Sequence, residues 1–532
     1  MPVHLTGTSF RGSAILPLAA GMACFALVCS GFWVLKSRRR LYPVTVYEKQ
    51  DTACDIDTKK KLVDRISELS DDIICLIISK LQTRAAVRTS VLSRRWRRVY
   101  TIINKASFSC SYMHRSSCCR NLTASHCRKK FVERVDTFLQ HHAVSKLMSF
   151  ELVCCFHGCV MDSFRKWISF VGACGVERLS IRFCSLRVML KSGPPVFSTD
   201  FLPEPSSLTH LHLKGGSFQT PNQNVLKVLK LEFISFTPED VECILTNCSS
   251  LQSLNLLFCV LPIKLQIVGS ALQLKSLMLS YCKLVEKIEL SAINLIDFEI
   301  CYRTILKLSF SNVPLLRSVV IDCSSCGVPH YVFGKIAKDL PHLERMVFIT
   351  YTSFFEEWKM DGTLNELSNL TELVLLLESH NGFNLLELVT LLNACPLLQK
   401  FQVSKDVAST FIRKQAKEKV VRRDTQLKEL EFNGFRGTKD EYEFILYILE
   451  NVGSLKRLSI SVHPVLYHVF KKRWGSVVGN PRDDEKKRRI IGQRLQGQAN
   501  SKNVEIIIRS SVTRPDVGLE ELLLEEHLLQ NY

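Results

Sequence analysis

The sequence predicts an α/β fold in which a unit of three short helices precedes a long solenoid of parallel strands with helices outside. Two observations lead to this prediction. Residues 64–100 contain three segments of helical periodicity, and an apolar triplet of the form Leu-x-x-Leu-x-Leu recurs between residues 176 and 463. With 46% apolar and 23% charged residues, the 532-residue chain can bury a large core and form more than one domain.

The N-terminal region holds an uncharged segment that is long enough to span a membrane. After a short N-terminus, residues 1–11, the 24 residues of Gly12–Leu35 carry no charge. As a helix they exceed the roughly 30 Å hydrocarbon core of a bilayer. A basic linker, residues 36–60, follows, so the positive-inside rule predicts a single-pass membrane protein with the remainder in the cytosol. Pro17 and two glycines weaken this helix, and the alternative is a leader without a span in a protein of the cytoplasm or nucleus.

Residues 61–105 carry the signals of three short helices. Ser70 is followed by two aspartates, which is a good helix start because a hydroxyl caps free amides and carboxylates complement the helix dipole. Thr83 and Ser93 begin the second and third helices in the same way. About forty residues are too few to bury all the apolar side chains of these helices. The excess surface predicts either a partner or packing against the rest of the chain.

The same segment resembles an F-box, the helical domain by which substrate receptors join cullin-type ubiquitin ligases. The resemblance is to the plant form and rests on Asp64-Arg65-Ile66, Leu69-Ser70-Asp71 and the run from Arg88 to Trp96, which occur in family order and spacing. Ser70 stands where the family usually has a proline. The resemblance implies docking to a Skp-type adaptor and, through it, to a cullin.

We expect the adaptor to contact the apolar side chains that stay uncovered once the three helices pack together. Large aliphatic groups and tryptophan tend to dominate such interfaces. The candidate adaptor-binding residues are Leu69, Ile73, Ile77, Leu81, Val91, Leu92 and Trp96.

A repeat solenoid is predicted for residues 176–463, after a junction without repeats at residues 106–175. Successive triplets from Leu208 onward begin 18, 25, 23, 21, 21, 27, 27, 28, 29 and 28 residues apart. A leucine-rich repeat spans about 20 to 29 residues. The region is similar to the leucine-rich repeats of plant F-box proteins, and residues 427–463 resemble the FBD region that often closes such chains.

The repeat pattern also predicts which residues face a protein substrate. Each strand turns its leucines into the shared core, so alternate residues point away from it. The candidate substrate-binding residues are His212, Lys230, Asn255, Met278, Gln402, Glu431 and Ser459.

The net charge of +19 leaves two interpretations, a nucleic-acid surface or solvated charge. The basic residues occur in separate clusters, including the C-terminal region 464–532, and the outward strand positions are mixed in character. We therefore expect no nucleic acid as a partner.

The 21 cysteines are scattered through the chain, which does not predict a disulfide framework. One group combines the residue types that zinc prefers but lacks paired Cys-x-x-Cys spacing, so we expect no metal. This group is Cys110, His114, Cys118, Cys119, His126 and Cys127.

Signatures of nucleotide hydrolysis, zinc proteolysis, serine hydrolysis and protein kinase activity do not occur in the sequence. We therefore predict no catalytic residues and no cofactor. The resemblance implies the non-catalytic substrate-recognition subunit of an SCF-type (Skp-cullin-F-box) E3 ubiquitin ligase. The alternative is a membrane-tethered leucine-rich-repeat scaffold without a ligase role.

Overall fold

The computed structural model describes the helical unit and most of the solenoid. The described residues are 68–81, 83–101, 104–110, 124–141, 147–154, 158–183, 196–197, 207–218, 224–302, 307–323, 331–350, 367–377, 385–405, 425–468, 473–476, 481–499 and 504–509. The membrane span predicted at residues 12–35 and the linker at 36–60 lie outside these ranges and stay predictions. Among the described helices, none is both long and apolar enough to cross a bilayer.

Three short helices form the predicted helical unit: α1 (Asp71–Lys80), α2 (Thr83–Thr89) and α3 (Arg94–Thr101). The hydroxyl of Ser70 accepts a hydrogen bond of 3.4 Å from the amide of Ile73, which caps α1 as the sequence predicts. Arg95 of α3 donates a hydrogen bond of 2.5 Å to Asp71 in the first turn of α1. This contact joins the first and last helices of the unit.

A 15-stranded sheet, parallel throughout, forms the body of the solenoid. Neighbouring strands of this sheet follow chain order. Its strands are β1 (Lys105–Ser109), β2 (Ser149–Cys154), β3 (Arg178–Phe183), β5 (His210–Lys214), β7 (Val228–Glu232), β8 (Ser253–Leu257), β10 (Ser276–Ser280), β12 (Asp297–Tyr302), β14 (Ser318–Cys323), β15 (Arg345–Thr350), β16 (Glu372–Leu377), β17 (Lys400–Lys405), β18 (Glu429–Asn433), β19 (Arg457–Ser461) and β22 (Glu505–Arg509).

The remaining elements lie between the strands of this sheet. The other helices are α4 (Ala124–His141), α5 (Gly158–Ala173), α6 (Pro238–Asn247), a π-helical turn (Val332–Ile336) continued by α7 (Ala337–Asp339), a 3-10 turn (Leu385–Glu387) continued by α8 (Leu388–Asn393), α9 (Lys439–Asn451) and α10 (Pro481–Ala499). The other strands are β4 (Val196–Phe197), β6 (Ser217–Phe218), β9 (Lys264–Val268), β11 (Lys287–Ser291), β13 (Lys307–Phe310), β20 (Val465–His468) and β21 (Arg473–Ser476).

The core of the solenoid lies on one side of the long sheet. The leucines of each triplet, such as Leu254 and Leu256 of β8, are buried there in one continuous apolar cluster. Cysteines connect successive repeats. The thiols of Cys259 and Cys282 donate hydrogen bonds of 3.5 and 3.4 Å to backbone carbonyls of the preceding repeat. These buried thiols satisfy backbone carbonyls and occupy little volume.

The outer layer differs in part from the predicted helical wall. Opposite β8, β10 and β12 the chain forms a second parallel sheet with the order β13-β11-β9. The corresponding segments are short, and alternate residues such as Ile288 and Leu290 are buried while their neighbours are not. This period of two favours a strand over a helix. At the β13 edge, the hydroxyl of Tyr331 accepts a hydrogen bond of 2.8 Å from the amide of Leu308.

The solenoid extends beyond both ends of the predicted repeat region. Its sheet begins at β1, so the region predicted as a junction, residues 106–175, includes described strands of the long sheet, namely most of β1 and all of β2. The interval from Lys105 to Ser149 is longer than any interval of the triplet pattern, because α4 lies within it. At the other end, β22 pairs with β19, and Asp484 of α10 accepts a hydrogen bond of 2.7 Å from His463. Part of the basic C-terminal region therefore closes the sheet.

The turn after β18 provides a test of backbone packing. Gly434 adopts a φ of +78°, and a Cβ at this position would lie 1.9 Å from the carbonyl oxygen of Lys405. We expect Gly434→Ala to lower the free energy of unfolding by about 2 to 4 kcal/mol, because the left-handed conformation and the clash both penalise a side chain. Thermal unfolding followed by circular dichroism measures the effect. Gly453→Ala is the matched control, since nothing lies within 4 Å of its added Cβ; an equal loss in both variants contradicts this prediction.

Candidate functional site

The helical unit exposes a set of large apolar side chains on α1 and on the turn between α2 and α3. Val91 is 81% exposed and Leu92 is 59% exposed, although both are aliphatic. Single exposed aliphatic residues are common, but a group of them on so small a unit marks an interaction surface. We call this group the apolar face of the helical unit; it consists of Ile73, Leu76, Ile77, Leu81, Val91 and Leu92.

Two of the residues predicted to bind the adaptor lie elsewhere. Trp96 is only 6% exposed and packs with Ile74, Ile78 and Ala86 in the small core of the helical unit. Leu69 packs against the same core and is half-buried. Trp96 was expected to carry apolar surface left over after packing, but three short helices need a large side chain between them, and it fills that position. Leu76, which was not among the predicted residues, is exposed on α1 beside its predicted neighbours.

A direct hydrogen bond connects the helical unit to the solenoid. The hydroxyl of Thr83, at the start of α2, accepts a hydrogen bond of 2.7 Å from the backbone amide of Ser107 in β1. Thr83 is buried, so this bond is protected from water. The first strand of the solenoid is thus attached to the unit that carries the apolar face.

The face of the long sheet turned away from the main core is the inner face, and the strand register aligns its residues in rows. One row runs through the middle of every strand of the sheet. It contains Ser107, Glu151, Ser180, His212, Lys230, Asn255, Met278, Glu299, Val320, Val347, Val374, Gln402, Glu431, Ser459 and Ile507.

The structure brings all the predicted substrate-binding residues into this middle row, but it does not expose all of them. His212, Lys230, Asn255 and Glu431 are half-buried and reach the surface. Met278 is 2% exposed and belongs to a separate apolar cluster with Leu257, Phe258 and Cys301. Gln402 and Ser459 are also buried. Alternation along a strand predicts which way a side chain points but not whether other residues cover it. The prediction that Met278, Gln402 and Ser459 are accessible to a substrate is therefore wrong.

The carboxylate of Glu232, at the end of β7, contacts three basic side chains. Its carboxylate accepts hydrogen bonds of 2.9 Å from Nε2 of His212 and is 2.9 Å from Nζ of Lys230 and 3.4 Å from Nζ of Lys214. Burial by itself would raise the pKa of Glu232, but the hydrogen bond from His212 and the charges of the two lysines hold it far below its usual range. This carboxylate is therefore ionised at all physiological pH values.

His212 is oriented by polar groups on both sides of its ring. Nδ1 lies 3.3 Å from the hydroxyl of Ser180, and Nε2 donates to Glu232. Burial lowers the pKa of His212 below its ordinary value, and the bond to Glu232 only partly opposes this effect. The neutral tautomer with the proton on Nε2 fits both contacts.

An aromatic ladder follows the strands of three successive repeats next to this cluster. Phe233, Phe258 and Tyr281 each come directly after a strand and have φ values of 57°, 52° and 49°. The Phe233 and Phe258 ring centroids are 4.8 Å apart, and those of Phe258 and Tyr281 are 5.5 Å apart. Nζ of Lys214 lies 5.4 Å from the centroid of the Phe233 ring. The ladder was missed in the sequence, although its aromatic residues recur at the same interval as the apolar triplets.

The group of cysteines and histidines considered for zinc lies only partly within the described residues, which include Cys110, His126 and Cys127. Cys110 is buried in the core. Among the residues that the structure describes, no group of three or more His, Cys, Asp or Glu side chains could hold a metal ion.

A three-helix unit with an exposed apolar face, joined to a parallel-strand repeat solenoid, defines the class of F-box proteins with leucine-rich repeats. Comparison with family models agrees with this class. The F-box domain model matches residues 66–99, and the model described as At1g61320/AtMIF1, LRR domain, matches residues 138–483. The chain belongs to the plant F-box/LRR-repeat family. The second match begins well before residue 176, as the early start of the sheet requires.

Similar curated proteins of Arabidopsis thaliana carry the same description. The F-box/LRR-repeat protein At3g03360 is 31% identical over 231 residues, which cover 40% of this chain and 43% of that protein. The F-box/LRR-repeat protein At5g02910 is 29% identical over 205 residues, covering 37% and 39%. The F-box/FBD/LRR-repeat protein At1g78750 is 29% identical over 201 residues, covering 36% and 42%. The chain thus matches less than half the length of each of these relatives.

The environment of His212 predicts a pH dependence of stability. Because its pKa in the folded protein is lowered, the unfolded chain takes up a proton first as the pH falls through about 6.5. The contribution of the neutral ring to the free energy of unfolding is therefore complete above this pH and is lost as the pH falls below it. We expect His212→Gln to remove part of the loss of stability between pH 7.5 and 5.5, measured by urea unfolding across this range. Lys264→Gln on the outer sheet is the control; a His212→Gln profile that parallels both wild type and control contradicts the prediction.

Proposed function

We propose that this protein is the substrate-recognition subunit of an SCF-type E3 ubiquitin ligase. The helical unit binds a Skp-type adaptor and, through it, a cullin, while the solenoid binds the protein to be ubiquitinated. The observation that carries the proposal is the apolar face of the helical unit, in which six large aliphatic side chains are exposed. Membership of the F-box/LRR-repeat family supports the same assignment.

The two surfaces of the chain have chemistry suited to two different partners. The apolar face offers aliphatic side chains on short helices, which suits a constitutive, mostly apolar interface. The inner face of the solenoid is polar and charged where it is accessible, which suits a selective interface. A receptor that bridges two proteins needs both.

The role of such a receptor is to bring reactants together, and it forms or breaks no covalent bond itself. Binding the substrate and the ligase to one chain raises their effective concentration for each other. No residue of this chain is assigned a catalytic role in the proposal. The conjugating enzyme carried by the ligase supplies the reactive thioester.

The adaptor interface can be separated from the core of the helical unit by mutation. We expect Leu92→Asp to weaken adaptor binding by about 2 kcal/mol or more, roughly 30-fold, with little change in stability, because this exposed side chain fills no core position. Trp96→Ala instead lowers the stability of the helical unit, since its side chain is buried. Titration of the purified adaptor measures the first effect, and thermal unfolding measures the second.

Val268→Asp is the matched control for the adaptor experiment. Val268 is also an exposed aliphatic residue but lies on β9 of the outer sheet, so its replacement leaves adaptor binding unchanged. In plant extract the wild-type chain should recover the adaptor and the cullin together. Wild-type adaptor affinity for Leu92→Asp, or recovery of neither protein, argues against the proposed function.

A further inference from the structure

We propose that the inner face of β1 to β7 binds an acidic segment of the partner protein, that is, an extended stretch containing several Asp or Glu residues. The proposal rests on the proposed function only in taking the partner to be the recruited substrate. The charges, the accessibility and the neighbouring aromatic ladder of this part of the sheet support it independently.

The first nine strands of the long sheet form a positive group followed by an acidic group. Strands β1, β2, β3, β5 and β7 together contain five Lys or Arg residues and two Glu residues. Strands β8, β10, β12 and β14 contain three acidic residues and no basic ones. The positive strands carry Lys105, Glu151, Arg178, Arg182, Lys214, Lys230 and Glu232. An acidic ligand is therefore attracted to the first group of strands and repelled from the second.

The basic side chains of the positive strands remain accessible to a ligand. Side chains of Lys214 and Lys230 are 24% and 28% exposed, and Arg182, which pairs with Glu151, is 38% exposed. Glu232 is the carboxylate that Lys214 and Lys230 share with His212, and it is almost fully buried beneath them. One internal carboxylate for two lysines leaves positive charge unbalanced at the surface. A carboxylate of a ligand would complete this arrangement without displacing Glu232.

The spacing of these cations fits an extended peptide. Arg182 and Lys214 are register partners on β3 and β5, and neighbouring strands are about 4.8 Å apart. Lys230 lies on the next strand, β7, two residues before Glu232, the register partner of Lys214. In an extended segment, side chains on the same side recur roughly every 6.6 Å. Flexible lysine side chains easily span the difference, so acidic residues at alternate positions can each meet a cation.

The aromatic ladder lies next to the positive strands, at their border with the acidic strands. Phe233 and Tyr281 are half-buried, so each keeps an accessible part of its ring. Bulky residues with positive φ cost about 1 to 2 kcal/mol each, and such strain tends to collect at binding sites. Because Nζ of Lys214 lies over the ring of Phe233, the ladder offers an apolar surface next to this lysine. We therefore place an apolar residue of the segment directly beside its acidic part.

A protein segment fits this surface better than a nucleic acid. Glu151 is half-buried in the middle row, which also contains Lys230, and it pairs with Arg182. A phosphate backbone that contacts these cations would therefore also meet Glu151. Beyond the ladder, exposed Asp297 on β12 adds further repulsion. A peptide places its charges at chosen positions and avoids both groups.

The test uses the full chain with a fluorescent 12-residue peptide that alternates Glu and Ser and ends in Leu and a photoreactive phenylalanine. The controls are the same peptide with Gln for Glu and a single-stranded oligothymidine of equal charge. Fluorescence anisotropy should give an affinity for the Glu peptide at least about 10-fold higher than for either control. Photocrosslinks should map to residues 207–218 or 224–233.

Charge variants then separate this surface from the general positive charge of the protein. The double variant Lys214→Gln with Lys230→Gln should bind the Glu peptide about 10-fold more weakly, as expected when two charge contacts are lost. The matched control is Lys264→Gln with Lys287→Gln, because these lysines flank Glu289 on the outer sheet in the same two-to-one arrangement. The control pair should bind like wild type.

Glu232→Gln provides a change in the opposite direction. Removing this carboxylate frees the neighbouring lysines, so the Glu peptide should bind about threefold more tightly, a gain that loss of folding cannot produce. Crosslinks on α10, equal losses in both lysine pairs, or stronger binding of the oligothymidine would overturn the inference. Adaptor binding by the wild-type chain is titrated in parallel. If the chain binds the peptide but not the adaptor, the proposed function is wrong and the peptide-binding surface stands. If it binds the adaptor but not the peptide, only the peptide-binding surface is wrong.

Discussion

The structure depends on one constraint, which is that no repeat of the solenoid can cover its own apolar side chains. Each strand turns two or three large residues to one side, and these residues are covered by the outer layer and by the equivalent residues of the adjoining repeats. This requirement fixes the parallel register, because a shift by one residue would move the leucines to the inner face. It also makes the two ends special, since each terminal repeat has only one neighbour.

The ends are completed by elements that are not repeats. At the start, Thr83 of the helical unit binds the backbone of β1, and at the finish β22 and α10 cover β19. The side chain of Asp484 is almost fully buried against His463, so the closing helix is attached by a specific polar contact and not by apolar cover alone. Terminal cover of this kind is a general need of stacked repeats.

The sequence predicts well the parts of the structure that depend on local hydrogen bonds or on one residue type repeated at a fixed interval. The capped start of α1 at Ser70 and the triplet leucines are examples, because local hydrogen bonds and burial determine them. The outer strands β9, β11 and β13 were not predicted, although their alternating apolar residues favour strands, because helices were expected outside every repeat and segments of four or five residues give only a short pattern. The sheet also begins before the regular intervals do, since α4 lengthens the first repeat.

The candidate surfaces were predicted less completely than the fold. Alternation along a strand gave the direction of Met278, Gln402 and Ser459 correctly, but their burial depends on neighbours that no local pattern specifies. Trp96 shows the same limit in the helical unit, where a residue type common at interfaces fills the core. The cluster around Glu232 escapes sequence reasoning because its members come from separate strands and meet only through the register.

The bond between Thr83 and Ser107 has a further consequence for how the chain would work as a bridge. A receptor with a loose hinge presents its cargo in many orientations, and a conjugating enzyme then reaches whichever lysine happens to pass. Here the hydrogen bond lies in the first repeat and Thr83 is buried, so the contact restrains α2 relative to β1. In the proposed receptor, the direction in which a bound protein projects would then depend on this contact. The choice among the lysines of that protein would follow from the distance and angle that the first turn of α2 sets.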